Sequence, residues 1–185
     1  MTTSQQHDVV DDIITDHREF ETIFTAIENS DDRQHRRDLV DHVIAELVRH
    51  SVGEEQYLYP VARRVLDNGD EEVDHELKEH AEAEKIMKEI EKADDDAKFD
   101  ELVGKLIEDI RHHIEDEEKD LLPNLREKCS HDELLELGEK FEKAKKSAPT
   151  RPHPSAPDHP PANKILDRGA GLIDKMRDAL TGRDV

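Results

Sequence analysis

Two stretches of the chain carry side chains suited to metal chemistry, and they are versions of each other: HSVGEEQYLYP at 50–60 and HIEDEEKDLLP at 113–123, displaced by 63 residues. Each reads HxxxEE followed by Leu-x-Pro, with Leu58 and Pro60 in the first and Leu121 and Pro123 in the second. On a helix, residues i and i+4 share a face about 6 Å apart along the axis, so His50 and Glu54 aim at one place, as do His113 and Glu117. The same displacement lays His17 on His80, and each precedes its HxxxE histidine by 33 residues. Four imidazoles and two carboxylates converging inside a bundle suit two divalent or trivalent ions about 3.5–4 Å apart. In that arrangement Glu54 and Glu117 bridge, and His17, His50, His80 and His113 are terminal ligands. Nitrogen and oxygen donors without sulfur favour iron, then manganese or zinc, and open positions point to oxygen chemistry.

The halves are not identical. One turn before His17 the first half has Ile13; one turn before His80 the second has Glu76. Glu76 is therefore a candidate seventh ligand that would give the two metals unequal coordination, the alternative being a surface glutamate with Leu77 filling the apolar stripe. Glu21 and Glu84 also follow a histidine by one turn and rank lower. Glu55 and Glu118, beside the bridging carboxylates, are candidates for ligands or for acceptors that orient the imidazoles. His75, aligned with Asp12, is a weaker alternative ligand, and His112 points about 100° away from His113. His7, His35, His42, His131, His153 and His159 fall at polar or linker positions and read as solvated.

These residues need helices to position them. Ile13, His17, Phe20, Phe24 and Ile27 recur at helical spacing and predict a first helix over about 5–29, its histidine on the apolar stripe. A second helix follows Asp31-Asp32 with a stripe of Val43, Leu47, His50 and Glu54. Pro60 should kink or end it near 58, with a last turn running on to Leu66. After the Asp67–Asp70 turn the pattern repeats: Val73, His80, Ala83, Met87 and Ile90, a turn at Asp94-Asp95-Asp96, then Leu102, Leu106, Ile110, His113 and Glu117. The expected fold is all-α, an up-down-up-down four-helix bundle built from two repeated helical hairpins. Ser130 and Glu133 announce a capping box and a short fifth helix packed outside the four. From Ser147 the composition turns Pro-rich. The division is thus a bundle over 1–146, a linker over 147–162, and a tail over 163–185 that can form one short amphipathic helix through Ile165, Leu172, Ile173, Met176 and Leu180.

Composition narrows the partners. The formal net charge is −21, which argues against nucleic acid and anionic membrane, since phosphate binding depends on Lys and Arg. Residues from 147 on balance at +1, which leaves −22 on residues 1–146; the tail can dock on the acidic bundle or on another protein. With no Trp, two Tyr and four Phe, the core must be mainly aliphatic. Cys129, alone, forms no internal disulfide and no thiolate cluster within one chain. The start, MTTSQQHDVVDDII, lacks a basic or apolar leader region, and no apolar run is long enough to span a bilayer, so the expected compartment is the cytoplasm.

The order His17, His50xxxGlu54, His80, His113xxxGlu117 resembles the hemerythrin-like, or HHE cation-binding, proteins over residues 7 to about 125, most closely the bacterial and actinobacterial branch. The resemblance implies a non-haem diiron site with oxo or hydroxo and carboxylate bridges that handles oxygen or related small molecules. Oxygen-carrying hemerythrins supply HxxxH from the third helix and HxxxxD from the fourth. Here Glu76 stands at the first His of HxxxH, and Glu117 follows His113 by four, a departure that counts against reversible oxygen carriage. Three expectations follow: binding or sensing of oxygen, peroxide or nitric oxide, including iron storage or sensing; an enzyme that consumes peroxide or nitric oxide; or a structural metal without turnover.

Overall fold

The computed structural model describes residues 8–154, 170–175, 178–179 and 185. Its helices are α1 (Val9–Glu28), α2 (Arg33–Gly53), α3 (Tyr59–Val65), α4 (Gly69–Ile90), α5 (Asp96–Asp116), α6 (Leu122–Lys128) and α7 (His131–Ser147). Two π-helical turns, Glu54–Leu58 and Glu117–Leu121, join α2 to α3 and α5 to α6. No strand occurs among the described residues. α1 packs on α2 and α4 on α5, and the two hairpins form the four-helix bundle. No helix of the described residues is long and apolar enough to cross a membrane.

Side-chain caps fix where the helices start. Asp8, Asp32 and Asp95 each accept a hydrogen bond from the backbone N–H three residues on, which satisfies donors that a first turn leaves open. Asp8 thereby places the start of α1 at Val9 rather than near residue 5; residues 1–7 lie outside the described part. Ser130 and Glu133 form the expected capping box of α7.

The break expected at Pro60 takes another form. Proline lacks an N–H and crowds the carbonyl four residues back, yet the helix runs through it to Val65. A wide turn absorbs the conflict: the Tyr59 N–H bonds to the Glu54 carbonyl, five residues back. Leu122 and Glu117 repeat the device ahead of Pro123. Both π turns open on the glutamate of HxxxE, so the widened backbone lies where the carboxylates enter the core.

The apolar interior is split in two. Phe20, Phe24, Ile44, Leu47, Met87 and Leu106 belong to one cluster, and Ile13, Leu58, Leu77, Leu121, Leu122 and Phe141 to the other. Along α1, His17 falls between Ile13 and Phe20; along α2, His50 and Glu54 fall between Leu47 and Leu58. α4 and α5 repeat this with His80 between Leu77 and Ala83, and His113 and Glu117 between Ile110 and Leu121. The polar residues thus form a layer across the bundle, sealed above and below by hydrocarbon.

α7 packs outside the bundle as expected, against α1 and α2. The tail departs from expectation. Residues 170–175 are helical, but Leu172 and Ile173 are 65% and 66% exposed while Asp174 and Asp178 are buried. The docked side is polar because Arg151 reaches both Asp178 and Glu91, and His153 Nε2 lies 2.9 Å from Asp174. His153 is therefore engaged rather than solvated. Ile165, Met176 and Leu180 lie outside the described residues.

Candidate metal centre

Each bundle helix delivers one imidazole to the polar layer: His17 from α1, His50 from α2, His80 from α4 and His113 from α5, all buried. Glu54 and Glu117, at the mouths of the π turns, are fully buried. His17, His50, Glu54 and Glu117 bring one ligand-capable atom each within 4.8 Å of one another; Glu54, His80 and His113 form a second such set, and Glu76, His113 and Glu117 a third. The two glutamates are shared between the His17/His50 side and the His80/His113 side. Glu54 shows it most directly, with Oε1 3.0 Å from His50 Nε2 and Oε2 3.4 Å from His80 Nε2. Glu117 Oε2 lies 3.5 Å from His17 Nε2 and 3.7 Å from His113 Nε2.

Several of these atoms lack a hydrogen bond. His17 Nε2, His50 Nε2, Glu54 Oε1, Glu76 Oε2 and Glu117 Oε2 are buried without a hydrogen-bond partner, and the short His50–Glu54 separation does not have hydrogen-bonding geometry. Each such atom costs about 1–3 kcal/mol, and more where charged, so five in one layer fit a cation held between them. The donors are imidazole nitrogen and carboxylate oxygen, a set that fits iron.

The outward ring nitrogens are all engaged. Nδ1 of His17 meets Glu118 at 2.9 Å, that of His50 meets Asp16 at 2.8 Å, that of His80 meets Glu55 at 2.9 Å, and that of His113 meets Glu79 at 3.0 Å. A proton held on Nδ1 by a carboxylate leaves the Nε2 lone pair facing the layer. Asp16 and Glu79 act within their own hairpin; Glu118 and Glu55 each act on the opposite one.

The same carboxylates govern protonation in the metal-free chain. Burial opposes charge on His50, but Glu54 and Asp16 outweigh it and raise the imidazole to about 9. Burial of His80 is likewise outweighed by Glu54 and Glu55, again to about 9. His113 is raised well above its ordinary value against burial, chiefly by Glu117, Glu76 and Glu79. Burial would raise Glu54, yet His50 and His80 hold it well below the carboxylate range. Burial raises Glu76, which His113 opposes and the charge on Glu117 reinforces.

The profile of the hemerythrin HHE cation-binding domain matches residues 8–125. The chain belongs to the hemerythrin HHE family. It is 31% identical over 174 residues to an uncharacterised hemerythrin-like protein of Schizosaccharomyces pombe, covering 93% of this chain and 86% of that one. A DNA nickase of a Nostoc species is 25% identical over 142 residues, or 76% of this chain, which spans 40% of that protein. No solved structure gives a significant match.

In this hemerythrin-family chain all seven sequence-selected residues occupy the polar layer. Glu76 is only 4% exposed, so it is not a surface glutamate; its Oε2 lies 2.9 Å from His113 Nδ1. Glu55 and Glu118 hold imidazoles from outside, while Glu21 is bound to Arg111. His75 is half-exposed on Glu79, and His112 faces Asp116, away from the layer.

Five contributors were given no role by the sequence. Tyr59, 2% exposed, places its hydroxyl 3.1 Å from both Glu117 Oε1 and His80 Nε2 and 3.5 Å from Glu54 Oε2. Burial, and then the carboxylate of Glu117, push its pKa well above the ordinary phenol value, so it stays protonated. The repeat held the signal, since Tyr59 aligns with Leu122. Asp16 and Glu79 were aligned by the repeat but carried no assigned role. From α7, Phe141 stacks edge-on against His50 with ring centroids 5.6 Å apart, and Lys145 bonds Asp16.

Proposed function

We propose that this chain holds a non-haem diiron centre on His17, His50, Glu54, His80, His113, Glu117 and Glu76. It would bind or react with oxygen, peroxide or nitric oxide in defence against oxidative or nitrosative stress, or in oxygen or iron sensing. The observation that supports this best is the set of buried, unpartnered nitrogen and oxygen atoms arranged as two groups sharing Glu54 and Glu117. Iron bound there would supply reversible one-electron redox changes and exchangeable positions for a small oxidant. The chain's own groups do the rest. Asp16, Glu55, Glu79 and Glu118 fix the ring orientations, and the two apolar clusters cover the layer above and below.

The two sides are unequal. Glu76 and Tyr59 both face the His80/His113 side, whereas the repeat places Ile13 and Leu122 at the matching positions. A cavity of about 210 Å³ between α4 and α5 reaches His80 and His113. Tyr59 holds a proton 3.1 Å from His80 Nε2 and Glu117 Oε1. A small molecule would therefore be handled on the His80/His113 side, with a donor already in place. The net charge of −21 speaks against a DNA-directed role.

Metal analysis of protein purified without added metal, with optical spectra before and after peroxide, tests the reading. Two irons per chain and near-ultraviolet bands that respond to peroxide are expected. His50→Ala and His113→Ala should each lose metal and thermal stability. Iron that ignores peroxide would favour storage or sensing; one zinc, or wild-type metal content in both variants, would leave a structural metal or none.

A further inference from the structure

The two faces of the layer are covered differently. Over His50 lies α7: Lys145 Nζ bonds both oxygens of Asp16 at 2.6 Å, and Phe141 packs so close to Gly53 that a Cβ there would come within 2.5 Å of its ring. Arg49 stands on the same stretch, paired with Glu46. A displacement of 63 residues carries Asp12, Asp16, Arg49 and Gly53 onto His75, Glu79, His112 and Asp116. That second face is open, with the side chains of His75 and His112 54% and 66% exposed.

Metal-capable groups occupy the open face. His75, Glu79 and Asp116 offer three ligand atoms within 4.8 Å of one another. Glu79 looks both ways, with Oε1 3.3 Å from His75 Nε2 and Oε2 3.0 Å from the buried His113 Nδ1. Glu76 Oε2, buried and without a hydrogen-bond partner, lies 2.9 Å from that same Nδ1. The cavity alongside is lined by Glu79, Glu82, Asp109, His80 and His113; its Lys105 is paired with Asp109 at 2.6 Å.

We propose that His75, Glu79 and Asp116 form a surface port that captures a divalent transition-metal ion and passes it, by way of Glu79, which also lines the cavity, to the His80/His113 position. The proposal rests on the reading of the buried layer as a metal centre and concerns how that centre is filled. One imidazole and two carboxylates are nitrogen and oxygen donors suited to a divalent transition metal. The acidic surface concentrates cations at the port, while Phe141 and Lys145 of α7 physically cover the other face. Glu79 couples the two steps, because the carboxylate that meets the incoming ion is the one that orients His113.

The test mixes the metal-free full-length chain with Co2+ in a stopped-flow instrument, follows the growth of the cobalt d–d absorption, and measures final metal content. The His75→Ala/Asp116→Asn variant is expected to reach the wild-type content about tenfold more slowly. Asp12→Asn, the counterpart of His75 on the covered face, should load at the wild-type rate. Wild-type content reached at the wild-type rate in the double variant overturns the port and leaves the centre standing. Wild-type cobalt content in His50→Ala overturns the centre, and the port with it.

Discussion

An imidazole whose pKa is raised by folding stabilises the fold fully below its unfolded value, about 6.5, and loses that contribution as pH rises through the folded value. His50 and His80, each raised to about 9 by neighbouring carboxylates against the effect of burial, place that loss between about pH 6.5 and 9. The metal-free chain should melt at progressively lower temperature across this window. A bound metal replaces those protons, so the gap in Tm between loaded and metal-free chains should widen over the same range. Thermal scans of both forms at three pH values check this, and a metal-free chain equally stable at both ends of the window would refute it. Glu54 has the opposite sign: held low by His50 and His80, it adds stability that is lost as the pH falls through its depressed value.

At the scale of elements, the bundle was legible because helical periodicity and the internal repeat report the same thing. A residue every three or four positions must face the core, and the repeat marks which polar ones do so twice. Capping chemistry located Asp32 and Ser130 for the same local reason, whereas at Asp95, which also caps a helix, the sequence showed only a turn. Phe141 was not legible, since an aromatic on an apolar stripe looks the same whether it meets hydrocarbon or an imidazole, and Tyr59 was marked only by its mismatch with Leu122 in the repeat. The π turns were hidden too: Pro60 announces a conflict with the backbone but not whether the chain ends or widens. α7 shows what such an element does once placed. Phe141 is fully buried between His50 and Gly53, so Phe141→Ala should cost about 3–5 kcal/mol. It should also open the His50 side to solvent. Denaturant melts give the first effect, and faster stripping of metal by a chelator the second.

Across the whole molecule, the chain stores its negative charge on the bundle and fastens its tail with a few ion pairs. Arg151 binds Glu91 at 3.0 Å and Asp178 at 2.6 Å, and His153 holds Asp174. Arg151→Ala should free the segment carrying Asp174 and Asp178 without changing metal content, with proteolysis on the C-terminal side of α7 faster by about tenfold or more. Cleavage at the wild-type rate would mean that other contacts hold the tail. The crossed carboxylates reach further. Each hairpin supplies the group that orients its own HxxxE histidine, Asp16 for His50 and Glu79 for His113, but borrows the one for its other histidine, Glu118 for His17 and Glu55 for His80. Two fragments cut at residues 67–68 could therefore rebuild the centre only by recombining. A hairpin paired with a copy of itself would recreate four histidine–carboxylate bonds of the same kind, so the smallest self-sufficient unit is a pair of hairpins, covalently joined or not.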